Sequence, residues 1–407
     1  MKDSARAITI VLHDLPLGGS ERIAVRLANR WAAMGRSVTI LCGSRQGPLA
    51  PLIDDKVKLI ECEPPIPRGR GSRKKLGQAT AAYVANHRPD VLFVPGNYHW
   101  PVLSALGAAL PTEKRPTVVA QIGTPLYRHG RGVIAQIPYN IRTRRQFRYV
   151  DHAISLSPSM TEDADRVLGR QITQCIRLPA LDDEDAPFQP ATDGKIILAA
   201  GRLVAEKGFD VAIRAFALLD DPAARLVIVG EGPDRAKLQS LARRLGIAER
   251  VELPGYAPDI RPWLERARAF LLTSYYEGYA AVIVEALGAG RPVVSTACTP
   301  AARELLVNPG AGRVAAIGDA AGLAQGLREV LEKPAPDPEA LARLVAAYRM
   351  GTISEDYLRM FDAVAARRAA TASVARLISG ARALAIPASG PVPTIGVTPQ
   401  AAWRQSA

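Results

Sequence analysis

The sequence predicts an α/β protein in which two doubly wound parallel-sheet domains face a central cleft. Short apolar runs alternate with helical stretches in two separate series, an order typical of parallel sheets that are covered on both faces. Between the two series, residues 182–194 are acidic and contain prolines, as expected for a linker. A length of 407 residues also favours two domains over one.

The first series, residues 1–181, is predicted to form an amino-terminal Rossmann-like domain. Its opening strand, residues 8–12, leads through Leu17-Gly-Gly-Ser20 into a helix from Glu21 to about Met34, with Ser20 as a candidate capping residue. The further predicted strands of this domain are residues 37–42, 57–60, 91–94, 118–121 and 152–156.

The second series, residues 195–350, is predicted to form a carboxy-terminal Rossmann-like domain. Its predicted strands are residues 196–200, 225–229, 251–253, 269–272, 292–295 and 312–315, and its last helices are residues 320–331 and 338–348. Residues 351–370 are predicted to form a helix that packs back on the amino-terminal domain. Residues 371–407 are predicted to be a weakly ordered tail, because the end of the chain carries four prolines and little periodicity.

The composition narrows the choice of partners and compartment. A net charge of +13 favours an anionic partner: nucleic acid, an anionic membrane surface or a phosphorylated substrate. Aromatic residues make up only 5%, and no basic stretch is rich in them, which argues against binding of single-stranded nucleic acid. We predict no nucleic-acid partner. The four cysteines lack C-x-x-C spacing, and no apolar run is long enough to span a bilayer. We therefore expect a cytoplasmic protein.

Two glutamates are the most informative feature of the chain. Glu277 lies in a glycine-containing loop after the apolar strand 269–272, and Glu285 lies about two turns along the helix that this loop opens. Carboxylates accept hydrogen bonds from the hydroxyl groups of a nucleotide sugar. The alternative interpretation is an ordinary loop glutamate and a solvated helix glutamate. The strand, Gly278 and a phosphate-suited motif upstream favour a binding site.

That upstream motif carries positive charge at the end of a strand. Arg202 and Lys207 follow strand 196–200, and a diphosphate requires concentrated positive charge, although two solvated cations are the alternative. Glycines follow other strands at Gly19, Gly230 and Gly255. The Gly255-Tyr256 backbone is a candidate contact for a nucleobase, and a simple turn is its alternative. None of these loops has the Gly-x-Gly-x-x-Gly pattern, which argues against a nicotinamide or flavin cofactor.

Taken together, the motifs resemble the retaining glycosyltransferases of family four (glycosyl transferases group 1), which have the GT-B fold. The resemblance rests on Gly18-Gly-Ser-Glu-Arg22, Gly201-Arg-Leu-Val-Ala-Glu-Lys-Gly208, Gly230-Glu-Gly-Pro233, and Glu277 to Glu285 followed by Ala286-Leu-Gly-Ala-Gly-Arg-Pro-Val-Val-Ser-Thr296. It covers roughly residues 8–331. It implies a metal-independent, retaining hexosyltransferase without a cofactor. The implied donor is a nucleoside-diphosphate-sugar, UDP-sugar rather than GDP-sugar, held mainly by the second domain.

The resemblance also implies roles for individual residues. Arg202 and Lys207 would bind the donor diphosphate, Glu277 the transferred sugar, and Glu285 the ribose hydroxyls. Gly19 would lie near the phosphate or the acceptor. The backbone N–H groups near the sugar and phosphate would be those of Gly278, Tyr279, Ala280 and Ala281. Many family members carry a histidine after the strand matching residues 118–120; here Gln121 or Thr124 would substitute. Front-face displacement is the favoured mechanism, with Glu277 as a covalent nucleophile the alternative.

Two basic stretches in the amino-terminal domain suggest where the acceptor binds. Arg68–Lys75 has five cations in a predicted loop, and Arg142–Arg148 has four arginines on a predicted helix. Contact with an anionic membrane or an acidic, lipid-linked acceptor is one interpretation, and a solvated face is the other. We expect a role in glycolipid or cell-surface polysaccharide biosynthesis. A non-catalytic sugar-nucleotide-binding or scaffold protein of the same fold is the alternative.

Overall fold

The computed structural model describes residues 4–127, 132–189, 195–308 and 310–384. The strands of the amino-terminal domain are β1 (Ala7–Leu12), β2 (Ser37–Cys42), β3 (Lys58–Glu61), β4 (Val91–Val94), β5 (Thr117–Ile122), β6 (His152–Ser155) and β7 (Thr173–Cys175). They form one parallel sheet in the order β3-β2-β1-β4-β5-β6-β7. The helices between them are α1 (Gly19–Ala33), α2 (Ser72–His87), α3 (Pro101–Ala109), α4 (Val133–Phe147) and α5 (Pro158–Leu168).

The carboxy-terminal domain repeats this architecture with six strands. They are β8 (Lys195–Ala200), β9 (Ala224–Val229), β10 (Val251–Gly255), β11 (Ala269–Leu272), β12 (Val293–Thr296) and β13 (Gly312–Ala315). They form a parallel sheet in the order β10-β9-β8-β11-β12-β13. The helices of this domain are α6 (Phe209–Leu219), α7 (Arg235–Arg244), α8 (Arg261–Arg266), α9 (Ala281–Gly288), α10 (Pro300–Leu305), α11 (Ala320–Glu332) and α12 (Pro338–Leu344). The predicted fold class, two Rossmann-like parallel-sheet domains, is confirmed.

A last helix, α13 (Met350–Leu384), leaves the second domain and returns to the first. Its first turns place Tyr357 and Phe361 against Trp31 of α1 and Phe93 of β4 in a fully buried aromatic cluster. These four side chains join the same apolar core as β1 and β2. The helix thereby completes the hydrophobic core of the amino-terminal domain, where buried aromatic area contributes most per side chain.

The chain crosses between the domains twice at one place. Leu181 on the outward path and Arg349 on the return path form an isolated parallel bridge. The Leu181 N–H donates to Tyr348 O at 3.1 Å, and the Met350 N–H donates to Leu181 O at 2.8 Å. The Arg349 guanidinium adds hydrogen bonds to the carbonyl oxygens of residues 182, 183 and 185. Residues up to Ala365 form one compact unit that contains both sheets, and a second unit begins at Ala366.

One strand was missed, and two expectations about local structure were wrong. Strand β7 was not foreseen, because Thr-Gln-Cys is only three residues long and lacks an apolar run. Ser20 does not cap α1; the helix begins at Gly19, Gly18 is its N-cap, and no side chain caps it. Helix α13 continues to Leu384 rather than ending near residue 370, since its sequence is rich in alanine, arginine and leucine, which favour helix. Linker residues 190–194 and tail residues 385–407 lie outside the described residues.

Candidate functional site

Glycines bring three loops together at the carboxyl edge of the second sheet. Gly201, Gly230 and Gly255 follow or end β8, β9 and β10, and all have positive φ angles. A Cβ atom on Gly230 would lie 1.8 Å from the carbonyl oxygen of Gly201. The Gly230 N–H donates to Gly255 O at 2.8 Å. These close backbone contacts require glycine whether or not a ligand binds. Beside them, the Tyr256 side chain is exposed.

Lys207 and Glu277 meet at this edge. Lys207 Nζ lies 2.5 Å from Glu277 Oε1, and both side chains are largely buried. Ser274 Oγ donates to the same carboxylate oxygen at 2.7 Å. Within the described part of the chain, Glu277 Oε2 has no hydrogen-bond partner. The carboxylate is therefore held by one oxygen, and the other is available to accept a hydrogen bond from a ligand.

The backbone of the Glu277 loop is fixed from both sides. The Glu277 N–H donates to Cys298 O at 3.0 Å, and Thr299 Oγ1 donates to Gly278 O at 3.1 Å. The loop then enters α9 through Ala280, a non-glycine residue with φ of 58°, and no side chain caps the helix. The first N–H groups of α9 thus lack a side-chain acceptor, an arrangement suited to an anion.

Arg202 does not join the Lys207–Glu277 pair in this structure. Its guanidinium is 3.3 Å from Glu206 Oε1, and its side chain is 68% exposed. A long exposed side chain with one weak surface ion pair can reorient at little cost. The residue therefore lies on the loop that also carries Lys207, next to Gly201, but its side chain is not preorganised toward Glu277.

Charged groups of the first domain, the linker and the second domain act on the Glu285 carboxyl. They are Arg22 and Arg26 of α1, Asp185 of the linker and Asp259 of the second domain. Burial raises the pKa of the Glu285 carboxyl, and the two arginines oppose that rise only in part. Arg22 also donates to Pro258 O across the cleft at 3.3 Å. The acid is thus positioned where the two domains approach each other.

Replacing Glu285 with glutamine is expected to raise the melting temperature of the ligand-free protein near neutral pH. A carboxyl whose pKa is raised by folding costs stability once it ionises, so the penalty of the wild type grows as pH increases from the ordinary carboxyl value through the raised pKa. The gain from Glu285→Gln should therefore shrink on acidification below that window. Thermal melts across pH measure this, with the exposed Glu184→Gln as control. A lower melting temperature for Glu285→Gln at neutral pH would contradict the expectation.

On the opposite wall, the glycine loop of the first domain leaves open space at Gly19. A Cβ atom there would meet nothing within 4 Å, whereas one on Gly18 would collide with the Glu21 carboxylate. Glu21 is buried and folds back over the start of α1, where a negative charge is favourable. The positive end of the α1 dipole is accordingly covered by the helix's own carboxylate. Gly19 keeps room for a ligand to approach the backbone.

The two walls touch where the loop after β5 meets the Glu277 loop. A Cβ on Gly278 would lie 2.1 Å from Gly123 O and 3.3 Å from Thr124 Cγ2. Asn97 holds this loop by accepting from the Gly123 N–H at 2.9 Å and donating to Thr124 Oγ1 at 2.7 Å. Thr124 therefore lies beside the Glu277 loop. Gln121 does not, because its side chain is buried and donates to Tyr357 Oη of α13 at 2.9 Å.

Part of the positive charge in the basic stretch 68–75 is already engaged in contacts within the first domain. Only its first half is a loop, because α2 begins at Ser72. Arg68 binds Asp14 and Glu21, at 2.6 and 3.2 Å. The Arg68 and Arg73 guanidinium carbons lie 4.4 and 5.3 Å from the centre of the Tyr98 ring. Two of the five cations are therefore committed to contacts within the domain.

His99 proves to be a structural residue of the first domain. It is buried, its Nδ1 lies 2.7 Å from Pro95 O, and its Nε2 accepts from the His13 N–H at 3.1 Å. Burial lowers the pKa of His99 to about 4. Its neutral ring thus joins two strand ends and does not line the cleft.

Sequence reasoning did not identify Ser274, Asn97 or the backbone of Cys298. The signal for Ser274 was present, since Thr273-Ser274 is a polar pair directly after the fully apolar strand β11. Asn97 and Cys298 contribute through contacts between distant segments, which no local pattern encodes. Tyr279 was expected to contribute only its backbone; its side chain is buried and hydrogen-bonds Tyr348.

Comparison with known proteins finds two family models that match successive segments of the chain. Residues 17–174 match Glycosyltransferase Family 4, and residues 182–348 match Glycosyl transferases group 1. The lipopolysaccharide core biosynthesis glycosyltransferase LpsE of Rhizobium meliloti is 30% identical over 43% of this chain and 52% of that relative. Glycogen synthase of Mycobacterium tuberculosis is 29% identical over 66% of this chain and 65% of that relative. The chain thus spans about half the length of LpsE.

Solved structures share the whole fold at low sequence identity. The Anabaena protein HepE, crystallised with UDP and glucose, has a TM-score of 0.68 at 18% identity over 89% of this chain and 99% of its own. WaaG, a glycosyltransferase involved in lipopolysaccharide biosynthesis, has a TM-score of 0.67 at 20% identity over 87% and 99%. At these TM-scores, the chain shares its fold with both proteins.

Proposed function

We propose that this chain, a glycosyltransferase of the GT-B fold, transfers a sugar from a nucleoside diphosphate to an acceptor hydroxyl with retention of anomeric configuration. The observation that carries the proposal is the Lys207–Glu277 pair beside the uncapped start of α9. A cation, a carboxylate oxygen that bonds to no described residue, and N–H groups without a side-chain cap match the charge pattern of a sugar diphosphate. Glycolipid or surface-polysaccharide assembly is the proposed setting, as in LpsE.

In the proposed reaction, the bond between the anomeric carbon and the diphosphate oxygen breaks as the acceptor oxygen attacks from the same face. The departing diphosphate keeps the bonding electrons and takes the proton of the acceptor hydroxyl. Lys207 and a reoriented Arg202 stabilise the added charge, which supports transfer without a metal ion. Glu277 Oε2 accepts a hydrogen bond from the sugar. This role suits Glu277 better than nucleophilic attack, since ion pairing with Lys207 makes the carboxylate a weaker nucleophile.

The donor is proposed to be a UDP-sugar, and Glu285 is proposed to accept from the ribose hydroxyls. HepE was crystallised with UDP and glucose, which supports this nucleotide for a chain of the same fold. Gly255 and Tyr256 lie beyond Gly230 along the same sheet edge and are the proposed base contacts.

Thermal shifts with UDP, GDP and ADP test the donor site directly. UDP is expected to raise the melting temperature most, because a ligand that binds only the folded state stabilises it by mass action. Lys207→Met should reduce that shift, and the exposed Lys237→Met should preserve it. Transfer from the matching UDP-sugar should persist with EDTA, and NMR should show a product of retained configuration. An unshifted melt with every nucleotide would favour the scaffold alternative, and an inverted product would overturn the mechanism.

For the acceptor, we propose a lipid-linked or saccharide hydroxyl reached from the inner face of the cytoplasmic membrane. The net charge of +13 and the two basic stretches of the first domain support an anionic surface as partner. Within the described residues, no helix is long and apolar enough to cross a bilayer.

A further inference from the structure

We propose that α4 is the element that docks this chain on an anionic membrane, with Ile134, Ile137 and Ile141 entering the boundary between headgroups and acyl chains. This inference deepens the membrane partner of the proposed function and rests on it for its biological purpose. Membrane binding is nevertheless measured without donor or acceptor, so either proposal can fail while the other stands.

The three isoleucines form an outward stripe on α4. They are 87%, 54% and 47% exposed, respectively. Their spacing of three and four residues places them on one face of the helix. Single exposed apolar side chains are ordinary, but three isoleucines aligned on one helix face mark an interaction surface.

The inward face of α4 is partly polar, which makes an outward stripe of isoleucines unusual. Gln136 and Thr143 are buried, and Gln136 Nε2 donates to Leu126 O at 3.0 Å and to Asn140 Oδ1 at 2.7 Å. Thr143 Oγ1 donates to Tyr139 O at 2.9 Å. A helix selected only to pack on its domain would bury isoleucine and expose glutamine and threonine. In α4 the isoleucines are exposed, whereas Gln136 and Thr143 are buried.

The same outward face becomes basic toward the end of the helix. Arg145 continues the stripe four residues after Ile141, and Arg148 follows three residues later. Arg142 borders the stripe and lies over the Tyr139 ring. Within the described residues, none of these three arginines pairs with a carboxylate. Arg144 differs, because its side chain donates to Val167 O at 2.6 Å.

A bilayer surface matches this division into an apolar half and a basic half. Isoleucines gain free energy at the acyl boundary, and arginines bind lipid phosphates at the headgroup level. A protein partner or a second copy of the chain would need acidic groups opposite the arginines, and the net charge of +13 disfavours self-association through a basic face.

The position of α4 also connects the docking surface to the cleft. Gln136 holds the carbonyl of Leu126, two residues after Thr124, which lies beside Gly278 of the Glu277 loop. A membrane bound along α4 would therefore lie one helix away from the wall where the acceptor is proposed to bind. A lipid-linked acceptor would have a short path into the cleft.

Vesicle sedimentation tests the proposal with the full chain. Vesicles of phosphatidylethanolamine containing about one third phosphatidylglycerol should bind the wild type, and vesicles of phosphatidylcholine should bind it more weakly. The triple variant Ile134→Ser, Ile137→Ser and Ile141→Ser should lose roughly 100-fold in partition coefficient. A matched control changes three exposed apolar residues elsewhere, Leu52→Ser, Leu218→Ser and Ile317→Ser, and should bind like the wild type.

A second variant separates charge from apolar insertion. The triple variant Arg142→Gln, Arg145→Gln and Arg148→Gln should lose the preference for anionic vesicles and most of the salt dependence. Each arginine removed should lower the partition coefficient roughly fivefold. Melting temperature and the UDP shift, measured in solution, should remain unchanged in all variants, because these side chains face solvent. Wild-type binding retained by the isoleucine variant, or no vesicle binding at any salt concentration, would overturn the proposal. A wild-type dimer that the isoleucine variant dissociates, detected by sedimentation velocity, would overturn it in favour of a second copy.

Discussion

Replacing Lys207 with alanine is expected to lower kcat/KM for sugar transfer by roughly 10²- to 10³-fold, the usual cost of removing one preorganised charge-stabilising group. Lys207 Nζ lies 2.5 Å from Glu277 Oε1 at the strand edge. Its loss removes positive charge from the proposed leaving group and frees the Glu277 carboxylate to move. Steady-state kinetics measure the effect, after the melting temperature has established that the variant is folded.

A double variant distinguishes catalysis from a merely structural ion pair. Lys207→Met alone leaves a largely buried carboxylate without its cation, so stability should fall. Adding Glu277→Gln removes that unpaired charge and should restore the melting temperature. If the pair only maintained the fold, activity would return with stability. We expect stability to return and activity to stay low, and a double variant with wild-type kcat/KM would refute both assigned roles.

Replacing Gly230 with alanine is expected to cost about 3 kcal/mol or more of unfolding free energy. A Cβ at this position would lie 1.8 Å from the Gly201 carbonyl oxygen, and φ is 147°, a region that alanine rarely adopts. A backbone atom cannot rotate away as a side chain can, so the β8 and β9 loops must separate. Chemical denaturation measures the loss.

Gly246 provides the matched control for that substitution. It also has positive φ, at 69°, but a Cβ there would meet nothing within 4 Å. Gly246→Ala should therefore cost only the backbone strain, about 1 kcal/mol. The difference between the two variants isolates the steric clash. Equal losses would mean that the contact between the Gly201 and Gly230 loops does not constrain the edge of the sheet.

Much of the fold could be predicted because parallel strands leave a strong local signal. Strands buried on both faces, such as β4 and β11, are continuous apolar runs, and glycine follows many strands where the chain turns. Strand β7 lacked that signal because it lies at the sheet edge and is largely polar. The end of α13 was predicted too early, near residue 370. The prolines beyond Leu384 indicated a weakly ordered tail, and the start of that tail was set too early in the chain.

The candidate site was predictable in its loops and less so in its side chains. Lys207 and Glu277 are 70 positions apart, yet each follows a strand, and adjacent parallel strands deliver both to one edge. Where a side chain points depends on neighbours from other segments. Arg202 pairs with Glu206, and Arg68 is committed to Asp14 and Glu21. No sequence pattern revealed that α4 turns its isoleucines outward, because its apolar periodicity would be the same for a buried face.

The aromatic cluster of α13 restricts how the protein can be divided into fragments that fold. Tyr357 and Phe361 are distant in sequence from Trp31 and Phe93 but fill the same interior. A fragment cut after residue 181 would expose the surface that these rings cover and would tend to aggregate. A self-sufficient half requires residues 4–181 fused to residues 350–365, a junction that the neighbouring Leu181 and Arg349 make short.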